Sequence, residues 1–110
     1  MTQTEPRCER DTTRPSAAVL RRTVAIFSAV AHPTRLAVLH ALVQEGGLSV
    51  GELQAIAGSE QTALSHQLRV LREANLVRTT RSGRRMIYEL KDDHVAHIVE
   101  DALTHAEEIY

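Results

Sequence analysis

Residues 49–71 read SVGELQAIAGSEQTALSHQLRVL and predict two short helices joined by a glycine. The first helix is expected to begin at the Ser-x-x-Glu pattern of Ser49 and Glu52, a capping box in which each side chain caps the other residue's backbone amide. Leu53 and Ile56 are then predicted to face inward. Gly58 is expected to end this helix, because glycine readily adopts the left-handed conformation of a helix terminus.

The second helix of this stretch has two different sides. Ser59 is in place to cap it, and Leu64, Leu68 and Leu71 recur at helical spacing as a buried stripe. The other side presents short or planar hydrogen-bonding groups of the kind that contact base edges in a major groove. These residues are Gln61, Thr62, Ser65, His66 and Arg69. The pair of helices is therefore predicted to be a DNA-binding helix-turn-helix, although a merely solvated helix face fits the same pattern.

A basic β-hairpin is predicted to follow the second helix. The β-prone runs 76–81 and 84–90 flank Ser82-Gly83, a pair typical of a tight turn. Arg81, Arg84 and Arg85 cluster at the tip, where burial cannot be their purpose. A hairpin tip is often charged for solubility alone, but directly after a helix-turn-helix this hairpin is interpreted as a wing that contacts the phosphate backbone or the minor groove.

Two further helices are expected before the helix-turn-helix. From Ser16 the apolar residues follow a three-to-four spacing until His32-Pro33 interrupts it, and a second helix then runs from Pro33 to Gly46-Gly47. Residues 1–15 are polar and are interpreted as a flexible tail without the apolar region of a secretory signal. The single cysteine, Cys8, falls in this tail and cannot form an internal disulfide, which is compatible with a reducing cytosol.

Charge is distributed unevenly along the chain. The formal net charge is −1, yet residues 59–91 carry +4 and residues 92–110 carry −6 with no basic residue. Concentrated positive charge suits contacts with phosphates, and an acidic, histidine-bearing end suits a cation. The fold class expected for residues 16–110 is a mostly α, dimeric winged helix-turn-helix with a β-hairpin wing.

The last helix is expected to carry the subunit contact. Asp92-Asp93 can cap it, and apolar residues from Val95 to Ile109 form one face. This face has to pack on the body of the protein or on a second subunit. The expectation is therefore a homodimer with this helix in the interface.

The same helix carries candidate metal ligands at its two ends. His94 and His105 are eleven residues apart, so they share a face but are separated by roughly 16 Å along the axis, too far for one ion within one chain. If two such helices pair antiparallel, each site receives Asp92 and His94 from one subunit and His105 and Glu108 from the other. A solvated acidic helix with scattered histidines, and with Asp92 as a plain cap, fits the same spacing.

Two imidazoles and two carboxylates suit Zn²⁺, and Co²⁺ takes the same ligands. His97 is a possible further ligand in a Ni²⁺ or Co²⁺ site of higher coordination. Asp101, four residues before His105, is in place to orient its ring. Soft ions such as Cu(I) would need thiolates that this set does not contain.

Several motifs together resemble the ArsR/SmtB family of metal-responsive repressors. They are His32-Pro33-Thr34-Arg35-Leu36, the run from Ser65 to Leu71, the hairpin from Arg81 to Tyr88, and the terminal pattern Asp-x-His-x10-His-x2-Glu. The terminal pattern is similar to the zinc-sensing branch, with metal between paired C-terminal helices. The resemblance implies a dimer on a palindromic operator that is released when metal binds. Leu48-Ser49-Val50 stands where thiolate-site members carry cysteine, so a cadmium, lead or arsenic sensor is not expected.

Other classes of function have less support. The chain lacks a nucleophile elbow, a phosphate loop and a His-Glu-x-x-His pattern, so no enzyme is expected. It also has no apolar run of about 18 residues, so no membrane contact is expected and the location predicted is the cytoplasm. A metal-independent protein-interaction module remains an alternative, because winged helices also bind proteins.

Overall fold

A computed structural model of the protein describes residues 14–109. Cys8 and all but the last two residues of the predicted tail lie outside this range. Within them the chain forms five α-helices and a three-stranded antiparallel sheet. In chain order the elements are α1 Ala17–Val30, α2 Pro33–Glu45, β1 Leu48–Ser49, α3 Val50–Ala57, α4 Gln61–Glu73, β2 Val77–Ser82, β3 Arg85–Leu90 and α5 Asp93–Ile109. No single one of these helices is long and apolar enough to cross a membrane, whereas α1 and α2, bent by 93°, pass that test of length and composition together.

Local caps fix the ends of the first two helices. The Ser16 hydroxyl accepts from the Val19 amide at 3.1 Å, and His32 Nδ1 accepts from the Thr34 amide at 3.1 Å. Pro33 occupies the first turn of α2, where a missing amide hydrogen costs nothing. Gly46 ends α2 with a positive φ of 82°, as the Gly46-Gly47 pair predicts.

The helix-turn-helix of α3 and α4 is confirmed, with two corrections. The capping box is complete, because Glu52 Oε1 accepts from the Ser49 amide at 2.8 Å and the Ser49 hydroxyl from the Glu52 amide at 3.2 Å. Gly58 ends α3 in the left-handed conformation. The prediction that Ser59 caps α4 was wrong: Glu60, one residue later, accepts from the Ala63 amide. Ile56 does not face inward either, since it is 50% exposed.

The predicted hairpin is confirmed and belongs to a larger sheet. Val77 pairs with Leu90 at one end of the β2–β3 ladder and Ser82 pairs with Arg85 at the other, next to Gly83 with its positive φ. The short strand β1, which the sequence pattern did not predict, pairs with the outer side of β3. The wing is thereby joined by backbone hydrogen bonds to the residue that caps α3.

Leucines and valines from α2 to α5 form one core. The stripe Leu64, Leu68 and Leu71 is fully buried, as predicted. Around it lie buried residues of the other elements, which are Val38, Leu39, Leu42, Leu48, Leu53, Leu76, Val77, Tyr88, Val95 and Val99. The polar side of α4 is thus the outer side of a helix whose inner side anchors the domain.

Helix α1 leaves most of its apolar side uncovered. Leu20, Val24 and Phe27, which follow the three-to-four spacing of this helix, are exposed by 51%, 63% and 59%, and Val19 is exposed as well. Ala29 alone of this helix is buried. Ile26 and Val30 pack partly against the core, whereas the exposed large side chains of α1 are available to a second surface.

Candidate nucleic-acid interface

The polar side of α4 is exposed to solvent. All five residues selected for base contact, Gln61, Thr62, Ser65, His66 and Arg69, are exposed. The leucine stripe on the opposite side fixes the rotation of the helix, so these side chains point outward together. Such a helix presents donors and acceptors of a size that fits base edges in a major groove.

The wing places three arginines around one hairpin end. Arg84 lies in the turn, Arg85 begins β3, and Arg81 is paired with Met86 one step from the tip. All three are exposed. Because neighbouring side chains of a strand alternate, Arg81 and Arg85 project from opposite faces of the hairpin. The tip is therefore basic on both faces.

Glu52 connects the wing to the helix-turn-helix. The same Oε1 that caps α3 lies 3.2 Å from Nη2 of Arg85. The Ser49 backbone amide above all, then the Ser49 hydroxyl and Arg85, hold the pKa of Glu52 below its usual range. The carboxylate is therefore charged at neutral pH, and it orients the wing arginine as well as capping the helix. The capping box alone was visible in the sequence.

Arg35 makes a second connection that the sequence interpretation missed. It lies in the first turn of α2, and its Nη1 donates to Gln67 Oε1 of α4 at 2.6 Å. Its Nε donates to the Ala29 carbonyl at 2.6 Å and its Nη2 to the Ser28 carbonyl at 3.3 Å, both at the end of α1. Both Arg35 and Gln67 stand within motifs quoted above, but 32 residues separate them, so only the fold brings them together.

The candidate metal ligands lie at the two ends of α5. Asp92 caps this helix, since its Oδ1 accepts from the amides of His94 at 3.0 Å and of Val95 at 3.3 Å. The same Oδ1 lies 3.6 Å from Nδ1 of His94, whose side chain is 91% exposed. His105 and Glu108 are exposed near the other end. Asp92 is thus a helix cap, and its Oδ2 atom makes none of these contacts.

Within residues 14–109 of one chain, no three histidine, cysteine, aspartate or glutamate residues come together in a group that could hold a metal ion. The structure brings Asp92 and His94 together but leaves His105 and Glu108 apart from them. This separation follows from the length of α5, which runs over 17 residues as one uninterrupted helix.

The exposed polar face of α4, anchored by buried leucines and followed by an arginine-tipped hairpin, defines a winged helix-turn-helix DNA-binding protein. A family model described as a helix-turn-helix domain matches residues 30–80, which include both helices and most of β2. The chain belongs to the ArsR/SmtB family of helix-turn-helix transcriptional regulators. The proteins of this family are DNA-binding regulators rather than enzymes.

Three known proteins illustrate the relationship. The transcriptional regulator NmtR of Mycobacterium tuberculosis is 44% identical over 84 residues, which are 76% of this chain and 69% of NmtR. The homodimeric winged helix-turn-helix domain Mb0332 of Mycobacterium bovis superimposes with a TM-score of 0.79 at 27% identity, over 98% of this chain and 92% of that one. The antimony-specific repressor AntR gives a TM-score of 0.77 at 32% identity, over 99% and 97%.

Proposed function

We propose that the protein is a zinc-responsive repressor that binds a palindromic operator as a homodimer. Zn²⁺ is proposed to bind at two equivalent sites between the C-terminal helices of the dimer, and operator DNA is then released. The observation that supports the proposal is the arrangement of residues on α5. The candidate ligands lie at its two ends, and the exposed apolar residues Ala102 and Ile109 lie between its buried side and the side of the histidines.

DNA binding is supported by the arrangement of α4 and the wing. The outward face of α4 carries no carboxylate among the five proposed base-contact residues, and the wing that follows adds three exposed guanidinium groups. Phosphate contacts from the wing position a protein on DNA, and side chains in the major groove select the sequence. A palindromic operator matches the two-fold symmetry of a dimer in which each subunit presents one α4 helix and one wing.

Dimer formation through α5 is supported by its exposed side chains. Val95 and Val99 are buried against their own chain, whereas Ala102, Ala106 and Ile109 are exposed. At about 100° per residue, Ala102 and Ile109 fall between the buried stripe and the face of His94 and His105. A partner helix seated on this stripe would therefore lie next to the histidines.

The donor set fits Zn²⁺ chemically. His94 and His105 are exposed imidazoles, Glu108 is an exposed carboxylate, and Asp92 retains Oδ2 beyond its capping bonds. Two nitrogen and two oxygen donors satisfy the tetrahedral preference of this ion, which would link the two subunits when bound. The proposed direction of the response, release of DNA, comes from the family resemblance.

Zinc titration of variants tests the metal site. A fluorescent duplex selected from random DNA by the metal-free wild type serves as the probe, and its anisotropy is followed as Zn²⁺ is added. We expect one ion per monomer and a loss of DNA affinity of about 5- to 150-fold, the usual range of coupling between two ligands. His105→Ala and Glu108→Ala should abolish the response and leave metal-free binding unchanged.

Glu107→Ala is the matched control for Glu108→Ala. Glu107 borders a hollow between α2 and α5 together with His40 and Glu100, so it faces away from the proposed site. A full zinc response in His105→Ala would contradict the site. Absorption spectra of the Co²⁺ and Ni²⁺ forms separate the alternatives, because recruitment of His97 would give an octahedral rather than a tetrahedral spectrum.

Wing substitutions test the mode of DNA contact. Arg84→Ala should weaken binding to every duplex and flatten the dependence of log affinity on log salt by about one unit per lost phosphate contact. Arg85→Ala should cost less, because in the free protein its guanidinium already pairs with Glu52. Salt titrations with the selected duplex and an unrelated duplex measure both effects. A loss confined to the selected duplex would contradict the assignment of the wing to phosphates.

A further inference from the structure

The side chain of Arg35 joins α1 and α4 from a position on α2. Two of its nitrogens donate to the Ser28 and Ala29 carbonyls at the end of α1, and the third donates to the Gln67 side chain of α4. The bonds from Nε and Nη1 are both 2.6 Å long and lie in partly buried surroundings. Hydrogen bonds from a charged donor in such surroundings are among the stronger polar contacts of proteins.

The packing around this contact is open. A hollow of about 340 Å³ lies between α1 and α4 beside Arg35. The residues that line it are mostly small, and they are Ala25, Ser28, Ala29, Val70, Glu73 and Ala74. Small side chains do not interdigitate deeply, so apolar packing at this point constrains the angle between α1 and α4 less than a contact between large side chains would. The three bonds of Arg35 are then the specific contact between the two helices at this point.

We infer that Arg35 is a positioning residue that sets the orientation of α4 relative to α1 and so transmits the geometry of the subunit pair to the DNA-reading face. This inference rests on the proposed function, in which α4 reads DNA and the protein is a dimer, and it adds the exposed apolar side of α1, formed by Leu20, Val24 and Phe27, to the dimer contact. Gln67 accepts the hydrogen bond of Arg35 from the half-buried side of α4, between the exposed His66 and the buried Leu68 in sequence. Arg35 therefore acts on the reading face without belonging to it.

An arginine is required by the geometry. Its planar guanidinium presents donors in divergent directions, so it can serve α1 and α4 at once, whereas a lysine ammonium is a single point donor at the end of a flexible chain. Arg35→Lys should therefore not restore the function of Arg35. Gln67→Glu keeps an acceptor for Nη1 and should therefore preserve the positioning of α4 by Arg35.

A double-mutant cycle tests the inference. The proteins are wild type, Arg35→Ala, Gln67→Ala and the double variant, with Arg22→Ala on the outside of α1 as the control for loss of one positive charge. The probes are the duplex selected by wild type and an unrelated duplex of equal length. We expect each single variant to bind the selected duplex about tenfold more weakly than wild type does. On the unrelated duplex, Arg35→Ala should bind as the charge control Arg22→Ala does, and Gln67→Ala as wild type does. The double variant should bind the selected duplex no more weakly than the weaker-binding single variant.

A second measurement needs no DNA. A spin label on Thr62→Cys, in a Cys8→Ser background, reports the distance between the two reading faces of a dimer, and this distance distribution should broaden in Gln67→Ala and in Arg35→Lys but not in Gln67→Glu. Additive losses of affinity, or an unchanged distance distribution, would overturn the inference. Absence of DNA binding by wild type would instead contradict the proposed function, and the distance measurement would still decide the role of Arg35.

Discussion

Arg69→Glu is expected to reduce affinity for the selected duplex by about 100-fold or more. Arg69 stands on the exposed side of α4, one turn beyond Ser65 and opposite the buried leucine stripe. A guanidinium that contacts a base edge contributes about 1–3 kcal/mol of discrimination, and a carboxylate in its place adds repulsion from phosphates. Fluorescence anisotropy at fixed salt measures the loss.

The matched control for this prediction is Arg22→Glu, which makes the same change of charge on an exposed part of α1. Its effect should be small, because general repulsion between the whole protein and DNA is screened over about 10 Å at 0.1 M salt. Equal losses in the two variants would show that net charge, not the face of α4, determines binding. Binding by Arg69→Glu as tight as by wild type would remove α4 from the interface and favour the alternative of a protein-interaction module.

Val24→Asp is expected to convert the proposed dimer into a monomer, because the proposal places the exposed apolar side of α1 in the dimer contact. Val24 is 63% exposed in the single chain, so the substitution should leave the fold of each subunit intact. A carboxylate buried in an apolar contact without a partner costs several kcal/mol, and this cost appears twice in a symmetric interface. Sedimentation equilibrium should show a shift from dimer to monomer, and affinity for a palindromic duplex should fall by about 100-fold or more.

Arg22→Ala is the control for Val24→Asp, and it tests whether a change of one charge unit on α1 is enough to dissociate the dimer. It lowers the net charge by the same amount as Val24→Asp, but at about 100° per residue it lies away from the apolar side of Val19, Leu20, Val24 and Phe27. It should remain a dimer. A Val24→Asp protein that is still dimeric at micromolar concentration would exclude α1 from the interface and leave α5 as the whole contact.

Much of the fold was predictable because its determinants are local. The capping box of Ser49 and Glu52, the terminal Gly58 and the leucine stripe of α4 each act within one or two turns of the chain. The cap of α4 was placed one residue early because Ser59 and Glu60 both carry side-chain acceptors, and propensity favours serine. Strand β1 was missed because two residues carry no periodicity of their own, and only their pairing with β3 makes them a strand.

The site was predictable to the extent that exposure follows from helical period. The five polar residues of α4 are outward because Leu64, Leu68 and Leu71 are inward. Periodicity does not reveal what covers an apolar side, so the exposure of Leu20 and Phe27 in the single chain was unforeseen. The contacts from Arg35 to Gln67 and from Arg85 to Glu52 were missed for another reason, since each joins residues more than 30 positions apart whose proximity is a property of the tertiary fold.

The pairing of β1 with β3 has a consequence for how affinity can be regulated. Ser49 is at once a residue of β1 and the cap of α3, and Arg85 of the hairpin is held by Glu52 in the first turn of that helix. The wing and the helix-turn-helix are thereby linked, and we expect them to move as one rigid body. Any signal that weakens operator binding then acts on the spacing between two such bodies rather than on the shape of either one. A single operator half-site should accordingly be bound with the same affinity before and after the signal, and only the full operator should register it.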